Sequence, residues 1–358
     1  MGKRIVIMAG GTGGHVFPAL AVAEQLREAG WEVSWLGTQK GLESRVIPAQ
    51  GIELDYLSVA GFRGKGIASK VIALVMLLKA CGQAKNILRK RQPDVVLGMG
   101  GFVAVPGGLM AKFLGIPLII HEQNRIPGTT NRLLARIANQ ILEAFPASFK
   151  SSLKAKCTGN PLRKSFLTDL DSKRDYLESE TRILIVGGSQ GAQILNEIVP
   201  EAIVQFQKMD GTNKAVHIKH QTGEAMRLQV ENRYNALAIQ ADVSAFISDM
   251  VAAYKWADLV ICRAGAMTIS EIAAIGVPAI FIPLPSAIDD HQTANAHYLT
   301  DAGAGLLLKQ DNLCPITLAE HIYEALKKLD VMSIAAHKCA RLDATEVVAG
   351  LCMSEAGL

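Results

Sequence analysis

Short apolar runs of strand length recur along the first half of the chain and alternate with longer amphipathic segments. The apolar runs are RIVIMA, EVSWLG, DVVLGM, PLIIHEQ and QILEAF, and one of the intervening segments is FPALAVAEQLREAG. Pro18 near the start of that segment and Gly30 just past its end predict a helix between them. Strands that alternate with helices predict a parallel sheet covered by helices on both faces.

The same pattern starts again after the polar stretch TDLDSKRDYLESETR. The segment RILIVGGSQGAQILN repeats the layout of RIVIMAGGTGGHVFP: a basic residue, an apolar strand, paired glycines, a hydroxyl residue, another glycine and then a helix. Two more strands surround a helix in ADLVICRAGAMTISEIAAIGVPAIFIPLP, and AGLLL adds another. We therefore predict two doubly wound α/β domains whose strands end at a cleft, where open sheets of this kind bind ligands.

Composition agrees with a packed, multidomain protein. The 358 residues are 49% hydrophobic and 20% charged, which excludes a disordered chain. The six cysteines form no C-x-x-C pair, so we expect reduced thiols in a cytosolic protein and neither a disulfide framework nor a zinc site. We expect no signal peptide and no membrane-spanning segment, because the apolar runs are too short.

Positive charge is concentrated in one segment although the net charge is only +4. Gly61 to Arg91 contains eight Lys or Arg and no Asp or Glu, and it encloses the apolar run VIALVMLL. An apolar patch ringed by bases is typical of contact with an anionic membrane surface. A core helix with a solvated basic face is an equal alternative on this evidence. A nucleic-acid groove is weaker, because Phe62 is the segment's single aromatic residue.

The first glycine loop, Gly10 to Gly14, follows a strand and precedes a helix. It lacks the third glycine of the dinucleotide fingerprint, and the second strand ends at Leu36 to Thr38 without the carboxylate that would hold a ribose. The Walker pattern of P-loop nucleotidases is absent as well. What remains is a backbone that a ligand can approach closely and a helix N-terminus that favours an anion. A tight turn that binds nothing is the alternative.

Seven motifs along the chain occur in a recognisable order: GGTGGH, GMGGF, HEQN, GNPLR, GGSQGA, RAGAMTISE and DDHQTANA. In this set the chain resembles, over its whole length, the bacterial N-acetylglucosaminyltransferases of glycosyltransferase family 28. The resemblance implies a GT-B fold, with residues 1–162 and 341–358 as the acceptor and membrane domain and 163–340 as the donor domain. It implies an inverting hexosyltransferase of peptidoglycan synthesis. N-acetylglucosamine would pass from UDP-N-acetylglucosamine to the 4-hydroxyl of the muramoyl-pentapeptide on undecaprenyl diphosphate, releasing UDP.

Donor-binding residues follow from the same resemblance. Glu271 would accept hydrogen bonds from the uridine ribose hydroxyls, and Ile247 would lie against uracil and offer backbone hydrogen bonds. Ser189 and Arg163 would hold the diphosphate, because guanidinium geometry suits phosphate oxygens. The other expected donor contacts are Thr12, Gly13, Gly14, Asn124, Ala266, Met267, Thr268, Ile269, Ser270 and Gln292.

Transfer needs a general base for the acceptor hydroxyl, and His15 beside the first glycine loop is the candidate, since histidine ordinarily changes charge near neutral pH. An alternative is that His15 only orders the loop. His121 and Glu122 are the rival bases, and no carboxylate pair suggests a hydrolase scheme. The resemblance places the acceptor diphosphate near Gly13, Gly14, Gly100 and Gly101.

A lipid acceptor, as the resemblance implies, favours membrane contact as the role of the basic segment. We expect an anionic membrane to be contacted by Val71, Leu74, Val75, Leu78 and Lys79, with the protein peripheral on the cytoplasmic face of the inner membrane. Other cell-wall synthesis proteins are expected partners, and nucleic acid is not. No cofactor is expected to be required and no metal site is predicted, although a divalent cation could stimulate activity. The D-L-D at 169–171 lies in the polar connecting stretch, and His217 and His220 would point to opposite faces of a strand, so neither is expected to bind a metal.

Two alternative functions remain open from the sequence. One is another GT-B enzyme with a different UDP-sugar or lipid acceptor, such as a diacylglycerol galactosyltransferase. The other is a nucleotide-sugar-binding protein without turnover.

Overall fold

A computed structural model describes residues 2–58, 67–168, 176, 179–188, 191–211 and 214–357, with the side chains of 67–71, 73 and 288 outside the description. The chain forms two compact units, Met1–Lys164 with Arg341–Leu358, and Ser165–Ala340. The first unit therefore ends two residues later than the sequence-based boundary, and it includes Arg163.

The first unit contains a parallel sheet in the order β3-β2-β1-β4-β5-β6-β7. Its strands are β1 Arg4–Met8, β2 Glu32–Gly37, β3 Glu53–Tyr56, β4 Val95–Gly98, β5 Leu118–Glu122, β6 Gln140–Glu143 and β7 Lys156–Cys157. The first helices of the chain lie between these strands: α1 Gly13–Glu28, α2 Glu43–Ala49, α3 Ile67–Arg91, α4 Ala104–Phe113 and α5 Thr129–Leu134.

Both faces of the first sheet are covered, as the continuous apolar runs predict. Ile5 and Ile7 of β1 belong to one buried cluster, and Val6 and Met8 belong to another on the opposite face. Helix α1 begins at Gly13, five residues before Pro18, which was predicted to lie near the start of this helix. Pro18 therefore lies in the second turn, where it removes one helical hydrogen bond instead of marking the helix start.

The second unit contains a parallel sheet in the order β10-β9-β8-β11-β12-β13. Its strands are β8 Glu180–Val186, β9 Ala215–Gln221, β10 Ala241–Ser244, β11 Leu259–Cys262, β12 Ala279–Phe281 and β13 Gly305–Leu307. Its helices are α6 Gln193–Asp210, α7 Arg227–Ala236, α8 Met250–Trp256, α9 Ala266–Ile275, α10 His291–Thr300, α11 Pro315–Leu326 and α12 Leu329–Cys339.

The last helix of the chain, α13 Ala344–Glu355, packs against α1 and so belongs to the first unit. Its Val348 and Cys352 are buried in the same cluster as Ile5 and Ile7. The strand orders determine which loops are neighbours at the carboxyl edge of each sheet. The loops that follow β1, β4 and β5 are neighbours at the carboxyl edge of the first sheet, and those that follow β10, β9, β8 and β11 are neighbours at that edge of the second.

Candidate functional site

In the first unit, the glycine loops after β1 and β4 lie directly against each other. A Cβ on Gly101 would lie 2.5 Å from the carbonyl oxygen of Gly10, and a Cβ on Gly100 would lie 2.9 Å from the His15 ring. Both Gly100 and Gly101 have positive φ, which side-chain-bearing residues rarely adopt. The motifs GGTGGH and GMGGF are thus parts of one structure, and the glycines at 100 and 101 make room for the first loop and its histidine.

A buried carboxylate, which the sequence reading overlooked, supports the first glycine loop from beneath. Glu43 Oε2 accepts a hydrogen bond from the Gly11 amide at 3.0 Å. Glu43 Oε1 accepts from the amide and the hydroxyl of Thr38 at 2.8 and 2.7 Å. The Glu43 carboxyl group occupies space that is open because three neighbouring residues are glycines: Gly10, Gly37 and Gly41. The Gly11 amide is therefore engaged, and the amides offered to a ligand are those of the first turn of α1.

The N-terminus of α1, where an anion site is predicted, has backbone amides without partners inside the helix. Thr12 precedes the helix in extended conformation and does not cap it with its side chain. The amides of Gly13 and Gly14 lie in the first turn, where no carbonyl of the helix is in register to accept from them. A ligand oxygen at this end would meet these amides and the positive end of the helix dipole.

His15 is half-buried, and its Nδ1 lies 2.7 Å from Gln123 Oε1. The rival bases are held differently. His121 is fully buried, and burial lowers its pKa to about 4. Glu122 is also buried, and its two oxygens accept four hydrogen bonds, from the Asn124 and Gly128 amides and from the side chains of Asn124 and Asn131. These two residues hold the loop after β5 in place, which leaves His15 as the better candidate base.

Two further predicted donor contacts belong to the first unit. Asn124 is partly buried at the end of β5, where Glu122 fixes its main chain and side chain. The Arg163 guanidinium lies over the Phe17 ring, 5.5 Å from its centroid, on the second turn of α1. This contact with α1 explains why Arg163 groups with the first unit and not the second, where the sequence-based boundary had placed it.

In the second unit, the loop after β8 is held tightly against the end of β9. Ser189, predicted to hold the diphosphate, lies outside the described residues. Gly191 has a φ of 74°, and a Cβ on it would overlap the carbonyl oxygen of Thr222. The glycine at this position lets the loop approach β9 and turn into helix α6.

Gln221 at the end of β9 joins two loops through one buried amide. Its Nε2 donates to the Gly188 carbonyl at 2.7 Å, and its Oε1 accepts from the Ile247 amide at 3.2 Å. Since the Ile247 N–H is thereby engaged, the backbone group it can offer to uracil is its carbonyl. Gln221 therefore fixes the distance between the predicted phosphate loop and the predicted base-binding loop.

Helix α9 contains the predicted donor-binding residues Ala266 to Glu271. Its N-cap, Gly265, has no side chain, and Ala266, Met267 and Thr268 form the first turn. Glu271, one turn later, is partly buried and lies 3.5 Å from the Tyr254 hydroxyl.

Two of the predicted donor-binding residues on α9, Ile269 and Ser270, have side chains that already contact other parts of the protein. The Ile269 side chain is completely buried in the core, and the Ser270 hydroxyl donates to the Ala266 carbonyl at 3.0 Å. Ile269 can therefore meet a ligand only through its main chain.

Gln292 near the start of α10 is oriented by main-chain donors. Its Oε1 accepts from the amides of Ala264 and Leu284 at 3.3 and 3.0 Å. With its oxygen engaged, the group available to a sugar is the Nε2 amide, which can only donate. Gln292 thus ties the loop after β11 to the loop after β12 while presenting a donor.

Three of the predicted membrane-contact residues form an exposed apolar surface on α3. Leu74, Val75 and Leu78 are 57%, 59% and 63% exposed, and Lys79 is exposed beside them. The side chain of Val71 is outside the described part of the chain. The buried side of this helix begins later, with Ala80, Ala84 and Leu88. The alternative of a core helix would need these side chains to be covered, and they are not. No helix within the described residues is long and apolar enough to cross a bilayer.

Over the described ranges, no three His, Cys, Asp or Glu side chains are grouped as metal ligands. Asp169–Asp171 falls outside those ranges, so the absence of a metal site stays a prediction. His217 is partly exposed near Glu180, whereas His220 is buried against the Tyr234 hydroxyl.

Sequence reasoning missed the amide and carboxylate groups that support the loops: Gln123, Glu43 and Gln221. Gln123 stands inside the HEQN motif, between residues that were singled out, so its position was a usable signal. Glu43 and Gln221 had no such signal, because an isolated Glu on a helix and an isolated Gln at a strand end are ordinary surface patterns.

Two doubly wound parallel sheets, each with a glycine loop that opens a helix at its carboxyl edge, define an α/β protein of the class that binds phosphorylated ligands there. Family models narrow this class: residues 5–143 match the glycosyltransferase family 28 N-terminal domain, and residues 182–348 match the family 28 C-terminal domain. The chain belongs to glycosyltransferase family 28, which confirms the resemblance drawn from the seven motifs.

Similar proteins span the full length of the chain. A protein of Methylococcus capsulatus named UDP-N-acetylglucosamine--N-acetylmuramyl-(pentapeptide) pyrophosphoryl-undecaprenol N-acetylglucosamine transferase is 58% identical over 100% of both chains. A protein of the same name from Psychromonas ingrahamii is 46% identical over 98% of each. The crystal structure of Acinetobacter baumannii MurG is 39% identical, with a TM-score of 0.82 over 98% of this chain and 99% of that one. This match confirms the predicted pair of doubly wound α/β domains.

Proposed function

We propose that this protein transfers N-acetylglucosamine from UDP-N-acetylglucosamine to the 4-hydroxyl of undecaprenyl-diphosphate-linked MurNAc-pentapeptide, giving the disaccharide lipid and UDP. The observation that carries the proposal is the 58% identity to a transferase of that name over the entire length of both chains. The glycine loops, His15 and Glu271 are compatible with the chemistry that this reaction needs.

The proposed reaction has a single displacement step. The acceptor hydroxyl oxygen forms a bond to the anomeric carbon of the donor sugar, and its proton passes to His15. The bond from the anomeric carbon to the β-phosphate oxygen breaks with inversion, and UDP leaves with the electron pair. Developing charge on UDP would be stabilised by amides at helix N-termini and by Arg163.

Each unit has its own part in this proposal. In the second unit, Ile247 and Glu271 bind the uridine, the loop containing Ser189 binds the diphosphate, and Gln292 with Ala266–Thr268 contacts the sugar. In the first unit, Gly13, Gly14, Gly100 and Gly101 bind the acceptor diphosphate, and Thr12 and Asn124 contact the donor sugar. No cofactor is expected to be required, and a divalent cation could stimulate turnover by accompanying the diphosphate.

The test is an incubation with radiolabelled UDP-N-acetylglucosamine and a short-chain analogue of the lipid acceptor. We expect label in the lipid product and release of UDP in equal amounts. Transfer only from another UDP-sugar, or only to diacylglycerol, would support a different transferase. Tight UDP binding without any transfer would support a binding protein.

We also propose that the exposed surface of α3 rests on an anionic membrane at the cytoplasmic face. Leu74, Val75 and Leu78 would enter the headgroup region while Lys79 meets anionic lipids. The double variant Leu74→Glu with Leu78→Glu should lose sedimentation with vesicles that contain anionic lipid. Val331→Glu with Ile334→Glu is a matched control, because these residues are exposed on α12 in the other unit. Equal binding to the vesicles by both double variants would refute the proposal that this surface of α3 contacts the membrane. Binding to other cell-wall synthesis proteins is part of the proposal, and nucleic acid is not an expected partner.

A further inference from the structure

A chain of four hydrogen-bonding groups runs from the backbone to His15 in the first unit. His121 Nε2 lies 2.9 Å from the Gly159 carbonyl oxygen, which can only accept a hydrogen bond. The hydrogen of His121 is therefore on Nε2. His121 is completely buried and so stays neutral near neutral pH, because burial lowers its pKa to about 4. A neutral ring carries one hydrogen, which makes His121 Nδ1 an acceptor.

The amide of Gln123 is oriented by this acceptor. Its Nε2 lies 3.1 Å from His121 Nδ1 and 3.1 Å from the His121 carbonyl oxygen. Turning the amide over would bring Oε1 against these two acceptors and lose both bonds, so the nitrogen must face His121. The Gln123 main chain is held as well, because Asn160 Nδ2 donates to its carbonyl at 3.1 Å. Gln123 Oε1 is consequently fixed toward His15.

The Gln123 amide orients the His15 ring through one short contact. Its Nδ1 lies 2.7 Å from Gln123 Oε1, and an amide oxygen can only accept. The hydrogen of neutral His15 is therefore on Nδ1, and Nε2 carries the lone pair. Gly100 contributes space, since a Cβ there would lie 2.9 Å from both Cε1 and Nδ1 of the ring.

We propose that Gln123 is a positioning residue that selects the tautomer of His15 with its hydrogen on Nδ1, so that Nε2 is the nitrogen able to take a proton. The neutral imidazole of a free histidine side chain prefers its hydrogen on Nε2, so the Gly159–His121–Gln123 chain reverses the intrinsic preference. This inference rests on the proposed function in one respect: the selected tautomer matters for turnover only if His15 is the base. With the other tautomer, Nε2 could not accept the acceptor proton.

The tautomer can be read without any activity measurement. We would label the histidines of the full-length protein with ¹⁵N and record long-range ¹H–¹⁵N correlations at alkaline pH, with the His15 signals assigned from His15→Ala. The wild-type protein should show hydrogen on Nδ1 of His15. Gln123→Met should move a large share of it to Nε2, and Gln123→Glu, which still offers an oxygen acceptor, should keep it on Nδ1. Gln140→Met is the matched control, since it removes an amide of the same size from β6 in the same unit.

Kinetics connect the tautomer to turnover. In Gln123→Met we expect kcat to fall roughly 10–10²-fold with KM for UDP-N-acetylglucosamine changed less than about twofold, because only the proton transfer is affected. Gln140→Met should leave both constants unchanged. A wild-type His15 with its hydrogen on Nε2, or a folded Gln123→Met with the wild-type tautomer, would overturn the proposal. Full turnover in His15→Ala together with the expected tautomers would instead refute the role of His15 as base, while the positioning by Gln123 would stand.

Discussion

The two units repeat the same strand–loop–helix design and support it with different chemistry. Beneath the glycine loop of the first unit lies the carboxylate of Glu43, and beside it lies the hydrogen-bonded chain that ends at His15. The second loop is held by the uncharged amide of Gln221, and the neighbouring loops are held by that of Gln292. The two supports agree with the proposed division of work: the first unit is arranged around the proposed base, and in the second unit neutral amides fix the distances between loops.

The largest expected effect tests the first half of this comparison. His15→Ala removes the proposed base and should lower kcat roughly 10²–10⁴-fold, with little change in UDP binding. Steady-state kinetics and calorimetric UDP titration measure the two effects separately. His297→Ala, at an exposed position on α10, is the control. A large loss of UDP affinity in His15→Ala would mean that the two units do not divide the work in this way.

The next effect tests the second unit. Glu271→Gln weakens the proposed acceptor for the ribose hydroxyls and should raise the Kd for UDP roughly 10–10²-fold, because hydrogen bonds to a charged group are worth about 1.5–3 kcal/mol. Calorimetric titration is the measurement, with Glu320→Gln on the exposed side of α11 as the control. Unchanged UDP affinity would leave Glu271 as a helix residue without a ligand role.

A smaller effect is expected from the neutral amide that joins the loops. Gln221→Leu leaves the Gly188 carbonyl and the Ile247 amide without their partner, which should destabilise the second unit by roughly 1–3 kcal/mol. KM for UDP-N-acetylglucosamine should rise with a smaller change in kcat. Denaturant unfolding and kinetics provide the readouts, and Gln207→Leu on the exposed face of α6 is the control. A kcat effect larger than the KM effect would contradict a purely holding role.

The remaining effect concerns stability in acid, vanishes near neutral pH and applies to both units. Burial lowers the pKa of His121 to about 4 and that of His220 to about 3, from an ordinary value of 6.5. Below 6.5 the unfolded chain binds protons that these folded rings do not. Each unit should therefore be fully stabilised above that pH and lose about 1.4 kcal/mol for each pH unit below it, down to the folded pKa.

Trp31 and Trp35 lie in the first unit and Trp256 in the second, so tryptophan fluorescence follows one unit at a time in a Trp256→Phe background or in a Trp31→Phe, Trp35→Phe background. His121→Gln should flatten the pH slope of the first unit alone, and His220→Gln that of the second alone. His217→Gln, at a partly exposed position of β9, is the matched control. Equal slopes in all three variants would contradict the burial argument.

Local signals predicted most of the fold, and contacts between distant loops explain what they missed. The apolar runs and glycines marked β1, β2, β8 and β11 closely, because each signal is contained within a few residues. The start of α1 differs from the prediction, because Pro18, a residue typical of helix starts, lies in the second turn of a helix that begins at Gly13.

The candidate site was predictable to the extent that its motifs are continuous in sequence. His15 and Glu271 stand inside such motifs, so the sequence pointed to them. The Gln123 contact with His15 joins residues 108 positions apart, and the Glu43 contact with Gly11 joins residues 32 positions apart. Pairings of this kind depend on the strand order, which a single sequence does not specify.

The enclosure of Glu43 has a consequence for sequence variation among relatives. Gly10, Gly37 and Gly41 all have ordinary backbone conformations, and the nearest neighbour of a Cβ on each would be the Glu43 side chain; a Cβ on Gly37 would also lie 3.0 Å from Leu54 Cδ1. Replacing Glu43 with alanine would remove this nearest contact at all three positions, whereas filling any one of them while Glu43 is present would displace the Glu43 side chain. In an alignment of relatives, these four positions should vary together or not at all, which makes them a joint marker of the first glycine loop.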